Sequence, residues 1–254
     1  MTPHADATSL TAAITWVGHS TFLVETPKGT RVLIDAFVDS CPTTPKSLTG
    51  EGLGELDLIL LTHGHGDHIA DAAAHAKRTG APVAGMVELI AWLKANAGLD
   101  GHTMIDFNKG GTVSVAGVKA TMVDAKHSSS MPDGSYAGEA AGFVLELEDG
   151  YRIYFAGDTC VFGDMALIGE MYSPDLAVLP IGGCYTMDPV QAAKAVELLK
   201  VREVLGSHYG TFPSMTGRPA ELRDLLELSG GAGAVTVHEL EPGGVLGGVP
   251  AATA

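Results

Sequence analysis

A short, nearly continuous apolar run, Leu58 to Thr62, leads directly into His63-Gly64-His65-Gly66-Asp67-His68. A run of that kind fits a strand buried on both faces, as found in mixed α/β domains. His63 and His65 lie two apart, so both imidazoles project to the same side of an extended segment. Gly64 and Gly66 loosen the turn that carries Asp67 and His68 to the same strand end. Four potential ligands thus converge. Imidazole nitrogen and carboxylate oxygen suit zinc, manganese, iron, cobalt or nickel, and the lack of thiolate argues against a closed structural zinc site. A lone histidine in a polar loop would be read as a hydrogen-bonding group; three within six positions are not.

Around this motif, helices and strands recur. Ala13 to Val17, Thr21 to Thr26 and Thr30 to Ile34 read as strands of a meander, with Pro27-Lys28-Gly29 as a turn. Further strands are expected at Thr112 to Val115, Lys119 to Val123, Gly142 to Glu148, Tyr151 to Ala156, Leu176 to Leu179, Glu203 to Leu205 and Val235 to Glu239. Asp149-Gly150 marks a hairpin. Helices are expected at Ile69 to Arg78, closed by Gly80, and at Met86 to Ala97, closed by Gly98, then at Met165 to Met171, Asp188 to Lys200 and Arg218 to Leu228. No linker or charge block interrupts residues 1–241, which are read as one domain; the Gly/Ala-rich residues 242–254 read as a flexible tail. The pattern by itself gives an α/β fold.

The charge balance restricts partners. Thirty acidic residues against 15 basic ones give a net charge of -15, and no Lys/Arg cluster offsets it. Such a surface repels nucleic acid and anionic membranes. A small-molecule substrate is expected, and a homo-oligomer stays open. The start has no basic and apolar signal-like regions, no run approaches the length of a membrane span, and Cys41, Cys160 and Cys184 lack paired spacing. Free thiols and a cytoplasmic location are the expectation.

Beyond the His63-to-His68 signature, five segments stand out: Gly18-His19-Ser20, Lys126-His127-Ser128-Ser129-Ser130, Ala156-Gly157-Asp158-Thr159, Leu179-Pro180-Ile181-Gly182-Gly183 and Ser207-His208-Tyr209-Gly210-Thr211-Phe212-Pro213. Together they resemble the metallo-β-lactamase superfamily, in its metal-dependent hydrolase branch related to ascorbate-phosphate lactonase, from about residue 14 to 228. The resemblance implies a four-layer αββα sandwich. It also implies two divalent metal ions, zinc first and manganese, nickel, cobalt or iron as alternatives. His63, His65 and His127 would hold one ion, Asp67, His68 and His208 the other, and Asp158 would bridge them.

The implied chemistry is attack on an ester-like centre, a lactone or a phosphoester, by a hydroxide bridging the metals, with Asp67 and Asp158 in catalytic positions. Two divalent ions against two carboxylates and a hydroxide leave a locally positive site in an acidic protein. His19 would protonate the leaving group or bind substrate. Asp35, at the end of Leu33-Ile34-Asp35, is expected either to orient a metal-bound histidine or to cap a turn. Tyr185 and Tyr209 are open between pocket wall and ordinary packing, Cys160 is expected to be inertly buried, and His4, His75, His102 and His238 fall outside every motif. Rival readings are an iron-dependent oxidoreductase on the same fold, a nuclease or phosphodiesterase, and a non-catalytic metal-binding scaffold. In the diiron oxygen-reducing branch, glutamate replaces the histidine found here as His65. The short, acidic chain disfavours the nuclease, and the filled ligand positions disfavour the scaffold.

Overall fold

A computed structural model describes residues 10–228 and 235–248. The first sheet has seven strands: β1 (Ala13–Gly18), β2 (Thr21–Glu25), β3 (Arg31–Ile34), β4 (Leu58–Leu61), β5 (Val83–Met86), β6 (Met104–Phe107) and, added on the far side of β1, β14 (Val245–Gly247). The second also has seven, in the order β13 (Thr236–His238), β12 (Glu203–Ser207), β11 (Leu176–Pro180), β10 (Arg152–Phe155), β9 (Ala141–Glu146), β8 (Val118–Asp124) and β7 (Thr112–Val115). Both sheets mix parallel and antiparallel pairs.

Period-two alternation explains the layering. Phe143, Leu145, Ile153, Phe155, Leu176 and Val178 bury against first-sheet residues such as Phe22, Val24 and Ile34 in one core. Their in-between neighbours Val144, Tyr154, Ala177 and Leu179 bury on the other face against α4 (Met165–Tyr172), α5 (Pro189–Leu199) and α6 (Pro219–Leu228). Ala72 and Ala76 of α2 (Ala72–Thr79) and Leu89, Ile90 and Leu93 of α3 (Val87–Asn96) pack onto the first sheet. The result is the four-layer αββα sandwich. Local chemistry sets the helix ends: Asp188 Oδ1 accepts from Gln191 N at 2.8 Å, Pro189 opens α5, and Gly80 closes α2 at φ 75°.

Three strands escape the sequence reading. β5 and β6 are short parallel strands; β5 is buried throughout, so it shows no alternation, and its last residue Met86 looked like the first of a helix that begins at Val87. The assigned tail is the third case: Val245–Gly247 pairs antiparallel with β1, satisfying an edge whose partner lies far away in sequence. Residues 249–254 of that tail lie outside the described residues, as does His4. The expected helix from Ile69 to Arg78 is divided into α1 (Gly66–Ile69) and α2. Among the described residues, no helix is long and apolar enough to cross a membrane.

Candidate metal centre

Strand direction assembles the site. In the first sheet β1, β3 and β4 run the same way, because two antiparallel steps separate β1 from β3 and β4 is parallel to β3. In the second sheet the same arithmetic aligns β8, β10, β11 and β12. Every chemistry-bearing residue outside the His63-to-His68 motif follows the carboxyl end of one of these strands: His19 after β1, Asp35 after β3, His127 after β8, Asp158 after β10 and His208 after β12. Ligand sites of open α/β sheets lie at such strand ends.

Three of these residues leave their strands in the left-handed backbone region: His19 at φ 53°, Asp35 at 56° and His208 at 55°. That conformation costs on the order of 1 to 3 kcal/mol for a non-glycine residue and persists only where surrounding contacts enforce it. Here Asp35 N donates to Leu60 O at 2.8 Å and His208 N donates to His19 O at 3.0 Å, tying one strained turn to another.

The side chains form two sets, joined by a third group, His63, His68 and Asp158, that draws on both. His63, His65 and His127 offer ligand atoms within 4.8 Å of one another; so do His19, Asp67, His68 and His208. Asp158 lies between the sets. Its Oδ2 is 3.9 Å from His63 Nε2 and 3.6 Å from His127 Nε2 on one side, and 3.3 Å from His68 Nε2 and 3.1 Å from His208 Nε2 on the other. The structure therefore brings together all seven residues expected to hold metal.

A second layer of contacts aims the imidazoles. His68 Nδ1 donates to Asp35 Oδ2 at 2.6 Å, leaving Nε2 to face Asp158. Thr62 donates its hydroxyl to Asp35 Oδ2 at 2.8 Å, and its backbone N–H to Asp35 Oδ1 at 2.8 Å. Its oxygen then accepts from His63 Nδ1 at 3.0 Å. One buried carboxylate thus sets the tautomer of two histidines, His68 directly and His63 through a threonine. Of the two sequence readings of Asp35, the histidine-orienting one is observed. Thr62 carries no sequence signal, because threonine is an ordinary strand residue.

The donor set fits divalent metal ions. His68 Nε2, His208 Nε2 and Asp158 Oδ1 are buried and make no hydrogen bond, a costly state for three converging polar atoms that metal coordination would relieve. Without metal, burial holds His63 well below the ordinary imidazole value and lowers His65 and His127 as well. Burial likewise lowers His19 to about 4, against the opposing bond to Asp67. Burial pushes His68 down too, but the carboxylates of Asp158 and Asp35 outweigh it and raise its pKa well above the usual range. For Asp158, burial pushes upward, and the flanking His68 and His208 overcome it and hold the carboxyl well below the usual range. Metal binding requires deprotonated donors, a condition that His63, His65, His127 and Asp158 already meet, whereas His68 would release its proton on binding.

A cavity of about 390 Å³ opens over this centre. His65, Asp67, His127, Asp158 and His208 form its floor, and Ser128, Tyr185, Phe212, Ser214 and Met215 its walls. His19 is fully buried and sits behind the floor, with Nε2 3.0 Å from Asp67 Oδ2 and Nδ1 3.0 Å from Thr211 Oγ1. Tyr209 belongs to the packing: its ring lies 4.8 Å from that of Trp16 and its hydroxyl donates to Leu240 O at 2.9 Å. Cys160 is exposed, contrary to expectation, and unpaired. His75 is buried beside Asp39, and His238 pairs with Glu203 at 2.9 Å, both away from the site.

A sequence profile of the β-lactamase superfamily domain matches residues 30–209, a span that includes every residue of the centre except His19. The chain belongs to the metallo-β-lactamase superfamily. Within the superfamily it falls among the UPF0173 metal-dependent hydrolases. It is 49% identical to one from Herpetosiphon aurantiacus over 84% of this chain and 89% of the relative, and 48% identical to one from Rubrobacter xylanophilus over 92% and 96%. Among solved structures it is similar to Igni18, a metallo hydrolase of the archaeon Ignicoccus hospitalis, with a TM-score of 0.79, 34% identity, and coverage of 92% of this chain and 97% of that one. Metal-dependent hydrolysis is the activity class this membership assigns.

Proposed function

We propose that the protein hydrolyses an ester-like small molecule, a lactone or a phosphoester, at a dinuclear metal centre. The carrying observation is the position of Asp158 Oδ2 between two histidine pairs, each pair contributed by a different ligand set. His63, His65 and His127 would hold one ion, and Asp67, His68 and His208 the other, with Asp158 shared; zinc is the first candidate for such nitrogen and oxygen donors. When bound, two such ions lower the pKa of water to about 7 and polarise the substrate oxygen.

The chain's own residues do the rest. Asp67 is the more exposed of the two floor carboxylates, at 32% of its side chain, and orients the attacking water by accepting a hydrogen bond from it. His19 contributes by holding Asp67, because its burial behind the floor keeps it from a leaving group. The walls limit the water that reaches the acyl or phosphoryl centre. Unpaired thiols, two of them exposed, fit a reducing compartment, and we place the protein in the cytoplasm.

Metal analysis of the purified protein, followed by assay of lactones, thioesters, phosphodiesters and phosphomonoesters with each candidate metal, tests this reading. Two ions per chain and turnover of one substrate class are expected. Full activity with a single ion per chain would overturn the dinuclear assignment, and oxygen consumption with visible absorbance would favour the iron oxidoreductase instead.

A further inference from the structure

The cavity wall is poor in cations and rich in aromatic surface. Among the described residues that line it, none is Lys or Arg. The basic residues nearest along the chain are engaged elsewhere. Lys126 pairs with Asp124 at 2.5 Å, and Arg218 donates to the carbonyls of Met215 and Gly217 at 3.0 and 2.8 Å. What the wall offers above the histidine floor is the rings of Tyr185 and Phe212, the thioether of Met215 and two hydroxyls, Ser128 and Ser214.

This lining discriminates between the two substrate classes. A phosphomonoester brings close to two negative charges and several strong acceptor oxygens, which binding sites answer with guanidinium or ammonium groups. Beyond the metal ions that the floor would hold, no cationic side chain lines the cavity to meet the oxygens a phosphomonoester leaves outside the metal centre, and the chain's net charge of -15 opposes the approach of a dianion. Tyr185 and Phe212 instead keep 60% and 38% of their surface exposed at the mouth, an apolar cost recovered when an apolar group covers them. A volume of about 390 Å³ suits a compact molecule.

Building on the hydrolytic reading above, we propose that the substrate is an uncharged carboxylic ester or lactone carrying a ring-sized apolar group that packs against Tyr185 and Phe212. The oxygen of one water bonds to the acyl carbon and the acyl C–O bond breaks. The alkoxide oxygen leaves as the hydroxyl of the product, and the carboxylate and one proton are released. No oxidant or reductant enters. Tyr185 and Phe212 are specificity residues in this scheme.

Matched substrates test it on the metal-replete protein: p-nitrophenyl butyrate and γ-phenyl-γ-butyrolactone against p-nitrophenyl phosphate and bis-p-nitrophenyl phosphate. The neutral carbonyl compounds should lead in kcat/KM by about tenfold or more. Tyr185→Ala and Phe212→Ala should raise KM for the aryl lactone while leaving kcat within about twofold, since they remove binding shared by ground and transition states. Calorimetry should show an aryl lactam binding more tightly to the unmodified protein than the corresponding arylphosphonate, and that preference falling in both variants. Preference for either phosphoester, or unchanged KM and lactam affinity in both variants, would overturn the proposal and leave the hydrolytic reading standing. No turnover of any of the four by protein with measured metal content would remove both.

Discussion

His68 Nδ1 donates to Asp35 Oδ2 across 2.6 Å in an environment that leaves the histidine fully buried and the aspartate 1% exposed. The bond decides which imidazole nitrogen faces the metal centre and strengthens that nitrogen as a donor. Asp35→Asn isolates the charge, because asparagine tolerates the φ of 56° at this position and has the same shape. Metal affinity should fall about 10- to 100-fold with the fold retained, as measured by competition against a chromogenic chelator. Unchanged affinity would mean that packing alone orients His68.

Acid should weaken the metal-free protein. His19, His63, His65 and His127 are all held below the ordinary imidazole value, chiefly by burial, so the unfolded chain binds protons that the folded chain refuses. Stability from these groups is complete above about pH 6.5 and declines as pH falls through that range. His68 works with the opposite sign: its raised value contributes below about pH 6.5 and is lost as pH rises through the folded value. Asp67 and Asp158, both lowered, contribute until pH drops below about 4. His75 is lowered too, so five lowered histidines stand against one raised. For His19, whose value falls to about 4, the loss between about pH 7.5 and about pH 5 is on the order of 2 kcal/mol. Denaturant unfolding of chelator-treated protein at those two pH values checks the sign; an equal midpoint would refute it.

Gly157 is the backbone device that presents Asp158. It adopts φ 62°, and a Cβ there would come within 2.7 Å of Ala141 O and 3.1 Å of Thr62 Cβ. Both neighbours belong to the frame of the site, since Ala141 N donates to Thr62 O at 3.0 Å. Gly157→Ala should destabilise the fold by about 2 to 4 kcal/mol and lower metal stoichiometry. Gly163→Ala, where a Cβ meets nothing within 4 Å, is the control and should shift stability by no more than about half a kcal/mol. Equal thermal midpoints for the two variants would contradict the steric argument.

What the sequence revealed was local or motif-borne. The run from His63 to His68 is readable because its spacing alone puts four donors at one strand end, and the first three strands are readable because their β-rich composition and the turn at Pro27-Lys28-Gly29 mark them. His127, Asp158 and His208 came from resemblance, since only the shared direction of β8, β10 and β12 within the second sheet brings them to one end. β14 was hidden because Val245 to Gly247 sits among glycines and its pairing with β1 is a long-range fact. Thr62 and Thr211 were hidden for a related reason: a single hydroxyl gains meaning only from its neighbours, Asp35 and His63 in one case, His19 in the other.

Thr62 also permits a test of whether the two ligand sets are separable. Its hydroxyl links Asp35 to His63, which belongs to the His63, His65 and His127 set, whereas His68 of the other set contacts Asp35 directly. Thr62→Val keeps the β-branched shape and the backbone N–H that donates to Asp35 Oδ1, and removes only the relay. His63 Nδ1 then lacks its acceptor in a fully buried position, at a cost of about 1 to 3 kcal/mol. That cost should fall on one ion. Competition titrations are expected to show one affinity weakened by about tenfold or more and the other close to the unmodified value. Asp35→Asn should weaken both. Equal weakening of both ions by Thr62→Val would show that the carboxylate of Asp158, which lies within 3.9 Å of histidines in both sets, couples them too strongly to load independently.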